Sequence, residues 1–170
     1  MSVYWHLAVK SFQKNLAYRA ANLAGIATNT FFGAIYILIY QALYVGRNQV
    51  GGLTLPETIT YAIIAQSLLN TMSAFGNNEL SDAVVKGTIA TDLSRPVDFY
   101  LYWAAIDGGR AVYYLIFRGI PVFALGALFF GVVTPSNPAQ WLLFVLTICF
   151  GIVISFAFRF ITNSLAFWTS

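Results

Sequence analysis

The spacing of charged residues constrains this chain more than any other feature. No Asp, Glu, Lys or Arg occurs in the 27 residues between Arg19 and Arg47, the 21 between Glu57 and Glu79, or the 40 between Arg118 and Arg159. A helix of about 20 mostly apolar residues crosses the roughly 30 Å of hydrocarbon in a bilayer. The first two gaps each fit one such helix. The third fits most of two, divided where Gly131-Val-Val-Thr-Pro-Ser-Asn-Pro138 sets two prolines among turn formers. The expected spans are 21–45, 58–75, 111–133 and 139–158. They are read as helices because lipid offers the backbone no hydrogen-bond partners. The runs also lack the alternating polarity of barrel strands.

Composition closes off the alternatives. Only 9% of the 170 residues are charged and 59% are hydrophobic, against about 25% charged in a soluble domain. A water-facing surface cannot be built from so few charges, and a disordered chain needs the opposite balance. The net charge of +3 comes from scattered residues rather than a patch, which argues against nucleic-acid binding. With one cysteine, Cys149, and one histidine, His6, the chain has no internal disulfide and almost nothing for a metal. No cofactor is expected on it.

Lys10, Lys14 and Arg19 interrupt the apolar residues of the N-terminal segment, so it does not read as a signal peptide. Val3, Leu7 and Phe12, with Tyr4 and Trp5 nearby, suit the headgroup region while the three cations reach water or anionic lipid. Residues 1–20 are thus expected to form an interfacial helix; the bland alternative is a frayed tail. Seven Lys/Arg fall on the side of the N-terminus, the 76–110 loop and the C-terminal end, against Arg47 alone on the other. That excess places the first side, with the N-terminus, in the cytoplasm of a multi-pass protein of the cell's inner membrane.

Within the first span, Ala21, Gly25, Asn29 and Gly33 share one face, with Asn29 able to hydrogen-bond another helix. This stripe suits packing within the chain or a subunit interface. Gln66 and Asn70 share a face of the second span and read as packing residues or as part of a polar pathway. Arg118 falls inside the third span, where an ionised Arg costs about 2.5–3.5 kcal/mol at mid-bilayer on insertion scales. It snorkels, pairs with another helix, or serves a pathway or gate; Asp107 and Asp98 become partners only if that end folds back. Pro121 has no N–H to give the Phe117 carbonyl, so a kink is expected there.

Five of the six acidic residues lie in the stretch 76–110. Asn77 or Asn78 can cap a short helix, Glu79 and Asp82 suit its positive end, and Lys86 its negative end. Gly87 stops it. Glu79, Asp82 and Lys86 form a polar stripe opposite Leu80, Ala83 and Val84. Two turns are too few to stand alone in water, so this helix docks on its own bundle or on a partner. Otherwise the segment is a solvated connector, although a long one.

The strings Asn78-Glu79-Leu80, Lys86-Gly87-Thr88-Ile89 and Asp92-Leu93-Ser94-Arg95-Pro96-Val97 resemble the cytoplasmic segment of type-2 ABC transporter (ABC-2) permeases, the small bacterial ones with a separate ATP-binding subunit. Asn163-Ser164-Leu165-Ala166-Phe167-Trp168 is similar to the end of their fourth span. The resemblance runs the length of the chain. It implies an all-α integral membrane fold: an N-terminal interfacial helix, four transmembrane helices, and a cytoplasmic coupling helix between spans two and three. It also implies that Asn78, Glu79, Asp82, Lys86, Gly87, Asp92 and Arg95 contact the ABC ATP-binding subunit. Arg118, Gln66 and Asn70 are then the candidates for a pathway or gate. A second permease subunit, alike or different, completes the transporter, and export is the usual direction. The family fold has six spans, so the chain to Ser170 is expected to lack the last two.

No P-loop occurs, so ATP hydrolysis belongs to a partner. An intramembrane enzyme needs catalytic groups gathered at span ends; here the acids are spread along a loop and His6 is remote. A membrane scaffold or assembly factor, binding a cytoplasmic partner through 76–110 and transporting nothing, is the alternative function.

Overall fold

A computed structural model describes residues 3–74 and 76–169. Among the described residues all regular structure is helical, apart from one isolated bridge between Val50 and Leu53. The elements are α1 (Val3–Leu16), α2 (Arg19–Leu43), α3 (Leu55–Leu68), α4 (Glu79–Val85) and α5 (Ile89–Leu93). Then come α6 (Phe99–Tyr114), a π-helical turn (Leu115–Gly119), α7 (Ile120–Phe130), α8 (Pro138–Ser164) and α9 (Ala166–Thr169).

Three helical stretches are long and apolar enough to cross a membrane: Arg19–Leu43, Phe99–Phe130 and Pro138–Thr169. Most of their apolar side chains face outward, as on α8, where Leu142, Leu143, Phe150, Val153 and Ile154 are exposed. Lipid tails can solvate such a surface and water cannot.

The expected second span takes a different form. α3 has 14 residues, about 21 Å at 1.5 Å per residue, and ends at Leu68. Residues 69–74 leave the helix, and Phe75, the expected end of the span, lies outside the described residues, as do Met1, Ser2 and Ser170. The carbonyls of this non-helical backbone have side-chain partners: Arg110 donates to Asn70 at 3.2 Å, and Ser155 to Ser73 at 3.0 Å. Non-helical backbone is tolerated at membrane depth when protein covers it. Gln66 and Asn70 therefore do not share a helical face, because the helix stops between them.

The helix that carries the expected third span begins well before residue 111, at Phe99, so Asp107 and Arg110 belong to one 32-residue rod made of α6, the π turn and α7. Asp98 caps that rod by accepting from the Leu101 N–H at 2.8 Å. The fourth helix likewise runs past residue 158 to Ser164 and includes Arg159. Its start matches the turn chemistry: Gly131 ends α7 at φ +74°, and Asn137 accepts from the Gln140 N–H at 2.9 Å ahead of Pro138.

Packing around the rod orders the rest. α1 lies along α6, and at Gly109 the approach is so close that a Cβ would stand 2.1 Å from the Ala8 carbonyl oxygen. α2 turns Gly25, Asn29, Gly33 and Ile37 inward at four-residue spacing. Asn29 donates to the Gln66 carbonyl at 3.3 Å, and Gln66 Cγ lies over Gly33. Of the two readings of that stripe, this is packing within the chain. Ile37, Ile59, Ala62 and Ile63 form the apolar core between α2 and α3, with Phe123 and Phe130 of α7 against it. Rings join α6 to α8, Tyr100 lying 5.2 Å from Phe156 and 5.1 Å from Phe160.

Candidate functional site

The charged residues of the stretch 76–110 separate into an exposed edge and a buried cluster. The exposed edge is α4. Gly87, at φ +71°, follows it and donates to the Val84 carbonyl at 3.0 Å, the left-handed stop expected from the sequence. The expected cap differs. Asn78 stands at the cap position but its side chain caps nothing, and the Asn77 side chain points instead to Asp107, at 3.5 Å. Leu80 is buried and seats the helix against α8 and α9. Asn78, Glu79, Asp82, Lys86 and Gly87 are exposed.

Not all of that edge is free to meet a partner. Lys14 of α1 pairs with Glu79 at 2.7 Å. The hydrogen bond to Glu79 raises the Lys14 pKa above its ordinary value, with burial working the other way. Arg95 pairs with Asp92 at 3.3 Å and donates to the Tyr102 hydroxyl at 2.8 Å. Among the described residues no ion pair reaches Asp82 or Lys86.

The buried cluster was not visible as a site in the sequence. Asp107 Oδ2 takes Arg159 Nη2 at 2.7 Å, and Oδ1 takes Arg110 Nη2 and Nε, both at 3.0 Å. Arg159 also donates to the Ser73 carbonyl and to Ser155 Oγ. All three ionic side chains are at most 10% exposed. Arg110 and Arg159, counted from the sequence with the charges of the cytoplasmic side, are thus buried, and Asp107, a conditional partner for Arg118, pairs with them instead. Two guanidiniums share one carboxylate, since each charge in an apolar setting needs a partner. Two signals could have revealed it. Asp107 and Arg110 stand at the i,i+3 spacing of helical ion pairs, and Ser155, Arg159 and Asn163 repeat every four residues in an apolar helix.

Asn163 connects cluster and edge. Its Oδ1 accepts from the Ser81 N–H in the first turn of α4 at 3.3 Å. Its Nδ2 donates to the Asn77 carbonyl at 3.2 Å and the Arg159 carbonyl at 2.9 Å. A displacement of α4 thus has a short polar route to α8 through Asn163 and to α6 through Asn77 and Asp107.

The three pathway candidates are not brought together. Asn70 meets the cluster through its backbone, and Gln66 packs on α2. Arg118 lies against Gly25, with its Cζ 5.6 Å from the Tyr114 ring centroid. This is the level of the first two turns of α2, close to one end of that helix rather than its middle. The Phe117 carbonyl, deprived of its donor by Pro121, accepts from Asn22 Nδ2 at 2.8 Å. The π turn just before it carries the wider bond from the Ile120 N–H to the Leu115 carbonyl.

Among the described residues no group of three or more His, Cys, Asp or Glu side chains could hold a metal ion. Neither a curated protein nor a solved structure matches the chain. A family model described as ABC-2 family transporter protein matches residues 30–170, most of the chain, including α4, the buried cluster and all of α8. The chain is thus a transmembrane component that belongs to the ABC-2 transporter family.

Proposed function

We propose that this chain is the permease subunit of an ATP-driven exporter, with a separate ATPase subunit docked on the α4–α5 edge. The observation that carries this reading is α4 itself: a two-turn helix seated by Leu80, outwardly polar, hydrogen-bonded to α8 through Asn163 and linked to α6 through Asn77 and Asp107. Closure of the ATPase on ATP displaces α4, and the polar route passes the movement to α6 and α8. ATP then selects between two arrangements of the helices. Asp82 and Lys86 make the main polar contacts; Asn78, Glu79, Gly87, Asp92 and Arg95 flank them. A second permease subunit, the same or different, supplies the other wall of the pathway.

With Arg110 and Arg159 buried, Lys10, Lys14, Arg19, Lys86 and Arg95 still outnumber Arg47. This supports an N-terminus and an α4 on the cytoplasmic side of the inner membrane. Lys14 holding Glu79 supports the same side for α1, whose exposed Trp5 and Val3 suit an interfacial position.

The test is co-purification in mild detergent with the ATPase subunit. Reversing Glu79 would also break its pair with Lys14, so the informative variant is Asp82→Lys with Lys86→Glu. It is expected to insert normally and to lose the ATPase or its stimulated turnover. Normal co-purification with full turnover would sink the docking assignment, and partners without any ATPase would favour a scaffold.

A further inference from the structure

In the buried cluster Arg110 and Arg159 have Asp107 as their counter-charge, and Arg118 lies outside it. Arg118 Nη2 reaches the Ala21 carbonyl at 3.4 Å, a weak contact, and Nε is buried without a hydrogen-bond partner. Among the described residues no carboxylate pairs with it, and Asp107 is occupied on both oxygens. A half-buried guanidinium with no carboxylate beside it draws an anion.

Space for one lies beside it. A cavity of about 270 Å³ is lined by Asn15, Tyr18, Asn22, Tyr113, Tyr114 and Arg118. Phenol and guanidinium groups give this lining hydrogen-bond donors and it contains no carboxylate, while the Asn15 and Asn22 amides already donate to the Ser11 and Phe117 carbonyls. Asn22 Oδ1 is buried and unpartnered, which suits a hydroxyl on the same ligand. Tyr18 is 63% exposed, so the cavity reaches the surface. It sits where α1 turns into α2, at the level of a helix end. Tyrosines and cations gather at that depth in membrane proteins.

We propose that this cavity binds a phosphate-bearing group, with Arg118 as its anchor. A guanidinium matches phosphate oxygens with two parallel N–H bonds, and the tyrosine hydroxyls supply further donors. A phospholipid headgroup and a soluble phosphate ester share this chemistry. The outward apolar surface of α2 beside the cavity, with Leu23 exposed, offers a lipid tail a path that a soluble ester would not use.

The full chain, purified in detergent and stripped of lipid, is titrated with dioleoylphosphatidylglycerol and bound lipid is read by native mass spectrometry. Dioleoylglycerol and glycerol 3-phosphate are the companion probes. Arg118→Gln is expected to weaken phosphatidylglycerol binding by about tenfold or more, and Arg118→Lys by less. The double variant Tyr18→Phe with Tyr113→Phe keeps both rings and is expected to cost a few-fold, which decides the matter if Arg118→Gln does not fold. Dioleoylglycerol binding as tightly as phosphatidylglycerol would overturn the proposal. So would lipid binding that neither folded variant changes. Glycerol 3-phosphate displacing the lipid would keep the phosphate site and assign it to a soluble ester; failure to displace it would assign it to the headgroup.

Discussion

Arg110 and Arg118 stand on one helical rod, about two turns apart, in unlike surroundings. Arg110 shares Asp107 with Arg159 and donates to a backbone carbonyl as well. Arg118 has a tyrosine face, a glycine to lie over and one long carbonyl contact. The same side chain is a structural tie in the first place and an open cation in the second. The difference lies in which groups the neighbouring helices bring. α8 contributes Ser155 and Arg159 around Asp107, whereas the first turns of α2 contribute Ala21, Asn22 and Gly25 around Arg118.

The largest effect should come from removing the one anion of the cluster. Asp107→Ala leaves two guanidiniums buried without a counter-charge, which is expected to destabilise the fold by about 3–5 kcal/mol. The check is thermal unfolding of the detergent-solubilised chain. A small shift would mean that the cluster is hydrated and that the contrast with Arg118 is false.

The two glycines against which these helices close sharpen the comparison. At Gly109 an added Cβ would meet the Ala8 backbone at 2.1 Å, so α1 must move away from α6. Gly109→Ala is expected to cost about 1–3 kcal/mol, the usual range for overpacking. At Gly25 the added Cβ would fall 1.0 Å from Arg118 Nη2, the far end of a flexible side chain. Gly25→Ala is expected to change stability by less than about 1 kcal/mol, since alanine's higher helix propensity offsets the shift. It should nevertheless weaken phosphatidylglycerol binding by displacing the guanidinium. Parallel unfolding and lipid-binding measurements on the two variants separate the cases, and equal losses of stability would erase the distinction.

The smallest effect belongs to the exposed edge. Lys14→Ala removes the Glu79 pair, which at that exposure contributes roughly 0.2–1 kcal/mol. Because the folded pKa of Lys14 is raised, the pair's contribution is complete below its unfolded value near 10.5 and fades as pH rises through the folded one. Wild type and variant should therefore differ by a constant amount near neutral pH and converge in strong alkali. A difference that persists there would show that Lys14 acts through its stem and not its charge.

Sequence alone was enough for the class of molecule and for many of its local stops. Long uncharged runs forced helices in lipid, because backbone groups there have only one another. Gly87 and Gly131 ended helices through a backbone angle other residues resist, and Pro121 freed the Phe117 carbonyl because it has no N–H. These are consequences of single residues and their near neighbours. The partners were decided in three dimensions. Spacing could flag Arg159 as a polar position in an apolar helix, but it could not name Asp107, 52 positions away, as its partner, or Asn22 as the donor to the Phe117 carbonyl 95 positions away. The early end of α3 belongs to the same class, since its released carbonyls are tolerable only where Arg110, Ser155 and Arg159 arrive from other helices. Local rules state which groups lack a hydrogen bond or a counter-charge, and the packing of distant segments determines which of them find one.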